Sequence, residues 1–193
     1  GPVYVGYSNG LAVLDASAAK LVSRIRLAGH PESFQLEHSG TRIFVNVPSA
    51  RQVAVLDRQK GAVVATWNLD GKRANFPMAL DEDGRRLFIA TREPPALLVY
   101  DTRDGKLVAD VPIERDADDL FFDRDRRQVF AICGEGVIDV ISQQDANRYR
   151  LAGQMRTVPG TRTGLWVAAQ RRLYIAVPAR DAIPAEIRIY EAN

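Results

Sequence analysis

The chain of 193 residues predicts an all-β protein assembled from short four-stranded antiparallel repeats. Three observations carry that prediction. Five apolar runs share one pattern: Val3-Tyr4-Val5, Ile43-Phe44-Val45, Leu87-Phe88-Ile89, Val129-Phe130-Ala131 and Leu173-Tyr174-Ile175, beginning 40, 44, 42 and 44 residues apart. Their middle position is aromatic each time, and Arg42, Arg86 and Arg172 stand just before three of them. Helical spacing is missing, because every window with apolar residues at i, i+3, i+4 and i+7 is broken by Gly, Pro or a β-rich run.

Each element of the repeat has its own justification. Labelled a to d from the inside outward, strand b is the aromatic-centred run. Strand c follows it as Leu11–Leu14, Val53–Leu56, Leu97–Tyr100, Val137–Ile141 and Ile187–Tyr190. A polar residue then initiates a turn: Asp15, Asp57, Asp101, Ser142 and Glu191. In two repeats a glycine, Gly61 or Gly105, leads into strand d by supplying positive φ. Strand a precedes b as Ser33–Leu36, Pro77–Leu80, Asp119–Phe122 and Thr163–Trp166. Four strands in about 40–45 residues is the period of a β-propeller blade.

The expected blades are residues 3–31, 32–73, 74–115, 116–159 and 160–193, eighteen strands in all, forming a single β-propeller domain. The first blade lacks strand a and the last lacks strand d. Because soluble proteins avoid unpaired edges, that count favours a C-terminal fragment of a seven-bladed ring over a closed five-bladed one. The fragment's exposed edges would also suit a homo-oligomer.

Composition narrows the function classes. With 26 Lys+Arg against 24 Asp+Glu the net charge is +2, too small by itself to imply nucleic acid or an anionic membrane. The single cysteine, Cys133, excludes an internal disulfide framework, and its apolar strand predicts a buried, inert thiol. No apolar run approaches the ~20 residues of a membrane helix, so no membrane insertion is expected. No cofactor is expected either: Gly-rich phosphate loops, nucleophile elbows and H-E-x-x-H are all missing.

The blade pattern from Arg42 to Trp67, "RIFVNVPSARQVAVLDRQKGAVVATW", recurs loosely from Arg85 to Val111. With "HPESFQLEHSG" (His30 to Gly40), "NFPMALDE" (Asn75 to Glu82), "DADDLFFD" (Asp116 to Asp123), "GEGVIDV" (Gly134 to Val140) and "AEIRIYE" (Ala185 to Glu191), it resembles the YVTN-repeat, YncE-like seven-bladed propellers of bacteria. The resemblance covers essentially the whole chain. It implies a longer protein, usually exported, hence a periplasmic or extracellular location, and a binding or scaffold role without an agreed enzymatic activity.

Aligned on strand b, the starts of strand a diverge from blade to blade, whereas the flanking columns stay apolar. That is where a channel mouth is expected. His30, Glu32, Asn75, Asp118, Asp119 and Arg162 are therefore the candidate ligand-binding residues, able to meet a small polar molecule, a peptide or a protein. The competing reading is that they cap strands and satisfy buried backbone groups. A second reading is a metal-assisted, lactonase-like hydrolase at the same mouth, although the overall balance leans away from an enzyme. Asp116, Asp118, Asp119, Asp123 and Asp125 lack the spacing of an EF-hand loop, and two histidines with one cysteine do not make a zinc set, so no metal is expected. Arg85, Arg127 and Arg171 share the a–b turn and would form a basic arc able to follow a single-stranded nucleic acid; interleaved acids argue against it.

Overall fold

A computed structural model describes residues 1–191. The described residues form eighteen strands in five antiparallel sheets of three, four, four, four and three strands. Two units, Gly1–Phe76 and Pro77–Asn193, divide the chain, and the division falls inside one strand.

The first unit holds two sheets. One runs β1 (Pro2–Tyr7), β2 (Gly10–Asp15) and β3 (Lys20–Arg26); the next runs β4 (Phe34–Leu36), β5 (Arg42–Val47), β6 (Gln52–Asp57) and β7 (Ala62–Asn68). Strand alternation sends Leu11, Val13 and Ile25 of the first sheet to one face, where they pack on Ile43, Val45, Val47, Ala54 and Leu56 of the second. The opposite face of the first sheet exposes Val3 and Val5, 43% and 42% accessible.

The third sheet has β8 (Arg73–Asp81), β9 (Arg86–Glu93), β10 (Pro95–Asp101) and β11 (Leu107–Pro112). The fourth has β12 (Ala117–Asp123), β13 (Gln128–Cys133), β14 (Val137–Gln143) and β15 (Tyr149–Arg156), and the fifth β16 (Thr163–Val167), β17 (Arg172–Val177) and β18 (Glu186–Glu191). In every sheet neighbours in sequence are neighbours in space. Phe88, Ala90, Leu97 and Val99 of the third sheet meet Leu120, Val129, Ala131 and Ile141 of the fourth. Phe130, Ile132 and Ile138 of the fourth meet Leu173, Ile175 and Val177 of the fifth. Two of the predicted middle aromatics lie in these seams, Phe88 against Phe122 at 5.0 Å and Phe130 against Trp166 at 5.3 Å between ring centroids.

The turns follow the predicted chemistry with one correction. Asp15 Oδ1 accepts from the backbone of Ser17, Asp57 Oδ1 from Gln59 and Lys60, and Asp101 Oδ1 from Arg103. Gly61 and Gly105 take φ of +61° and +73°. Ser142 does not take this role in the fourth sheet. Its c–d loop is longer, and Asp145, three residues on, accepts from Asn147 and Arg148 instead. Glu191 pairs with the Arg172 guanidinium at 2.7 Å; the turn expected after it lies outside the described residues.

Candidate binding site at the strand entrances

In the first unit the entrance residues serve mainly the backbone. His30 Nδ1 donates to the Ser8 carbonyl at 3.1 Å and the ring stays exposed. Glu32 is exposed, and its backbone N–H donates to Asn46 O at 3.0 Å while Asn46 N–H donates back to Ser33 O at 3.0 Å. Asn75 is fully buried. Its Nδ2 donates to Asn46 Oδ1 at 2.9 Å and to the Gln52 carbonyl at 3.1 Å, leaving its Oδ1 without a partner. The fully buried Asn46, whose Nδ2 donates to Phe76 O at 3.1 Å, was not among the sequence candidates. Its signal was an asparagine inside the otherwise apolar "RIFVNV" strand.

The second unit gathers charge. Arg92, at the end of β9, binds Asp116 at 3.1 Å and Asp118 at 2.5 Å, and its Nε donates to the Ala117 carbonyl at 3.2 Å. Arg162 Nε reaches the other oxygen of Asp116 at 2.8 Å. One carboxylate thus bridges two guanidiniums. Its backbone is fixed as well: Asp116 has φ of +62°, and its carbonyl accepts from Gly134 N–H at 2.9 Å. A Cβ at Gly134 would collide with the Asp116 carboxylate and with Arg162, which is why the "GEG" turn opens on glycine.

A bulge between Ala117 and Asp119 turns the two following acids apart. Asp118 goes to Arg92, whereas Asp119 Oδ2 accepts from the Gly164 backbone N–H of β16 at 2.8 Å. Burial is the main cause that pushes the Asp119 carboxyl above its ordinary range, against the pull of that N–H. Asp118 and Arg162 are the accessible pair, with side chains 39% and 47% exposed. Asp139 on β14 is fully buried and accepts from Glu114 N–H at 2.6 Å and Gln154 Nε2 at 2.8 Å. Cys133 is fully buried too, and desolvation pushes its thiol far up, as expected for an inert sulfur.

Sequence reasoning missed Arg92. Its partners lie 24 and 26 residues away, just before and within β12, and no local pattern announces such a contact.

The three arginines of the proposed basic arc are exposed at the a–b turns, with nearly equal left-handed φ: +55° at Arg85, +55° at Arg127 and +56° at Arg171. Nearby cations are already matched. Arg124 pairs with Asp81 and Asp83, Arg126 with Asp123, and Arg86 is buried against Asp101. Among the described residues no three His, Cys, Asp or Glu side chains gather as a metal-holding group. No described helix is long and apolar enough to cross a membrane.

Comparison with known proteins adds one kind of information. No protein-family model and no curated protein matches the chain. Among solved structures, Kuenenia stuttgartiensis hydrazine synthase superposes with a TM-score of 0.79 over 96% of this chain, at 15% identity. The likeness is one of fold alone. It supports a propeller-like arrangement, which the sheet order and the stacking of apolar faces also suggest. The propeller-like chain spans only 57% of that neighbour's length. With 1234 solved chains matching, the arrangement is too common to single out an activity.

Proposed function

We propose that the five sheets are blades of a β-propeller larger than this chain, and that it works as a non-enzymatic binding protein through its strand-a entrances. The apolar faces left open on the first and fifth sheets favour further blades. The observation that carries the binding reading is the Arg92–Asp116–Arg162 network with Asp118 beside it. A carboxylate held between two guanidiniums is rigid, and it leaves one accessible charge of each sign, Asp118 and Arg162. That pair fits a ligand presenting both signs, as a short peptide or a polar segment of a protein does.

Calorimetric titration with short peptides carrying both Lys and Glu, against uncharged peptides of equal length, tests the reading. Binding should be confined to the charged peptides and weaken at least tenfold in Asp118→Asn/Arg162→Gln, whereas Arg127→Gly should leave it unchanged. Equal binding by the double variant would sink the proposal. Lactone hydrolysis that needs a divalent cation and disappears with Asp118→Asn would move the assignment to the hydrolase reading.

A further inference from the structure

Three strand-a entrances turn through a left-handed residue at the same distance before strand b. Ala74 has φ of +58°, Asp116 +62° and Gly160 +91°, ahead of Leu87, Val129 and Leu173. Glycine takes this conformation freely, whereas other L-residues incur a steric penalty. Aspartate tolerates it better than most, yet alanine in the same place shows that the turn asks for no side-chain acceptor. The closing bond at Asp116 is also backbone, from Gly134 N–H to the Asp116 carbonyl at 2.9 Å. The carboxylate is therefore surplus to the turn. Its oxygens go elsewhere, Oδ1 to Arg92 Nη1 at 3.1 Å and Oδ2 to Arg162 Nε at 2.8 Å.

The two guanidiniums are held unequally. Arg92 is also fixed by Asp118 at 2.5 Å and by the Ala117 carbonyl at 3.2 Å. Arg162 has Asp116 as its one ion-pair partner and, among the described residues, no side-chain hydrogen bond. That contact is made at Nε, so the Nη1–Nη2 edge at the tip is unengaged on a side chain 47% exposed. A guanidinium tethered at Nε with its fork open is set to take an oxyanion through two parallel N–H···O bonds. The tether also lowers the ordering cost that a long, exposed side chain meets on binding.

We propose that Asp116 is a positioning residue, which orients Arg162 so that its fork takes a carboxylate of the ligand while Asp118 takes the ligand's cation. This rests on the peptide-binding reading above and deepens it by naming the anionic group. A carboxylate fits better than a phosphate because Asp116 and Asp118 already place two negative charges in the network, and these oppose a dianion more than a monoanion. An acidic side chain and a free C-terminus present the same two oxygens, so either can supply the group.

Calorimetry with lysine-containing peptides of one length tests the assignment and separates the sources. One carries Glu with an amidated end, one Gln with a free C-terminus, and one phosphoserine with an amidated end. The better of the two carboxylate peptides should bind at least about tenfold more tightly than the phosphoserine peptide. Asp116→Asn should weaken that peptide about tenfold, and Arg162→Lys by a similar factor, because an ammonium cannot present a planar fork. Ala74→Gly, the same backbone position without a charge, should leave binding unchanged. In ¹⁵N relaxation the Arg162 Nε–H should be ordered in the parent and mobile in Asp116→Asn, with the backbone spectrum retained. Unchanged affinity, or an equally ordered Arg162, in Asp116→Asn would overturn the positioning role while leaving peptide binding intact. Preference for the phosphoserine peptide would overturn the carboxylate assignment. Failure of every peptide to bind the parent would overturn the binding reading itself, and the relaxation measurement would still decide whether Asp116 orders Arg162.

Discussion

Single residues set the turns and the charges here. At Arg85, Arg127 and Arg171 the backbone is left-handed, a conformation that costs an L-residue roughly 1–2 kcal/mol and glycine nearly nothing. Each amide closes its turn onto the carbonyl three residues back, from Glu82, Arg124 and Ala168. The recurrence of these positions follows from a turn repeated in three sheets; nothing in the backbone explains why the residue is arginine. Arg127→Gly should hold or raise stability by up to about 1 kcal/mol, whereas Arg127→Val should lower it by about 1–2 kcal/mol, because a β-branched residue suits this region poorly. Urea denaturation of the two variants distinguishes these outcomes. Asp119 gives a pH signature. Its folded carboxyl titrates above the unfolded value, so the ionised form costs stability at neutral pH, and the cost is relieved as pH falls through the raised value. Asparagine keeps an acceptor for the Gly164 N–H without the charge. Asp119→Asn should therefore be more stable than the parent at pH 7, by up to about 1 kcal/mol, with the gain gone below pH ~4. A gain of equal size at pH 3 and pH 7 would contradict this.

At the scale of the strand and the sheet, the seams do the holding. Arg86 opens β9, and its side chain, 6% exposed, binds the equally buried Asp101 at 3.1 Å while reaching the loop of the next sheet. Arg103, with its side-chain hydrogen bond, is the main cause holding the Asp101 carboxyl well below the usual carboxylate range, and the Arg86 charge adds to it. Arg86→Ala removes both the ion pair and the clasp, leaving a buried carboxylate short of a partner. It should cost about 3–5 kcal/mol in chemical denaturation. A loss under about 1 kcal/mol would mean that Arg103 alone satisfies Asp101.

The same comparison shows what was legible beforehand. Strand positions were readable because an aromatic between β-branched neighbours, followed by an Asp or Gly turn, is a local signal repeated in register. Asp145 was missed because a longer loop moved the turn away from the expected Ser142. The clasp of Arg86, the bridge made by Arg92 and the Asn46–Asn75 pair were not legible. Each joins residues far apart in sequence, and strand periodicity carries no information about which side chains meet at such a distance. The candidate polar residues divide between separate contacts. Asp118 and Arg162 join the Arg92–Asp116 network and Asp119 turns to Gly164, whereas Asn75 is sealed inside the other unit, to which His30 and Glu32 also belong.

For the molecule as a whole, stability within each unit is a sum over neighbouring sheets, each contributing the apolar face that its neighbour covers. The two tryptophans fall one to a unit. Trp67 lies on β7 with its ring 5.4 Å from Phe44, and Trp166 lies on β16 beside Phe130. Each indole therefore reports on its own half of the chain. Tryptophan emission from two single-tryptophan versions, each keeping one indole and carrying phenylalanine for the other, turns the question of cooperativity into two melting curves: superimposed traces mean one folding unit, and separated traces resolve an order of events.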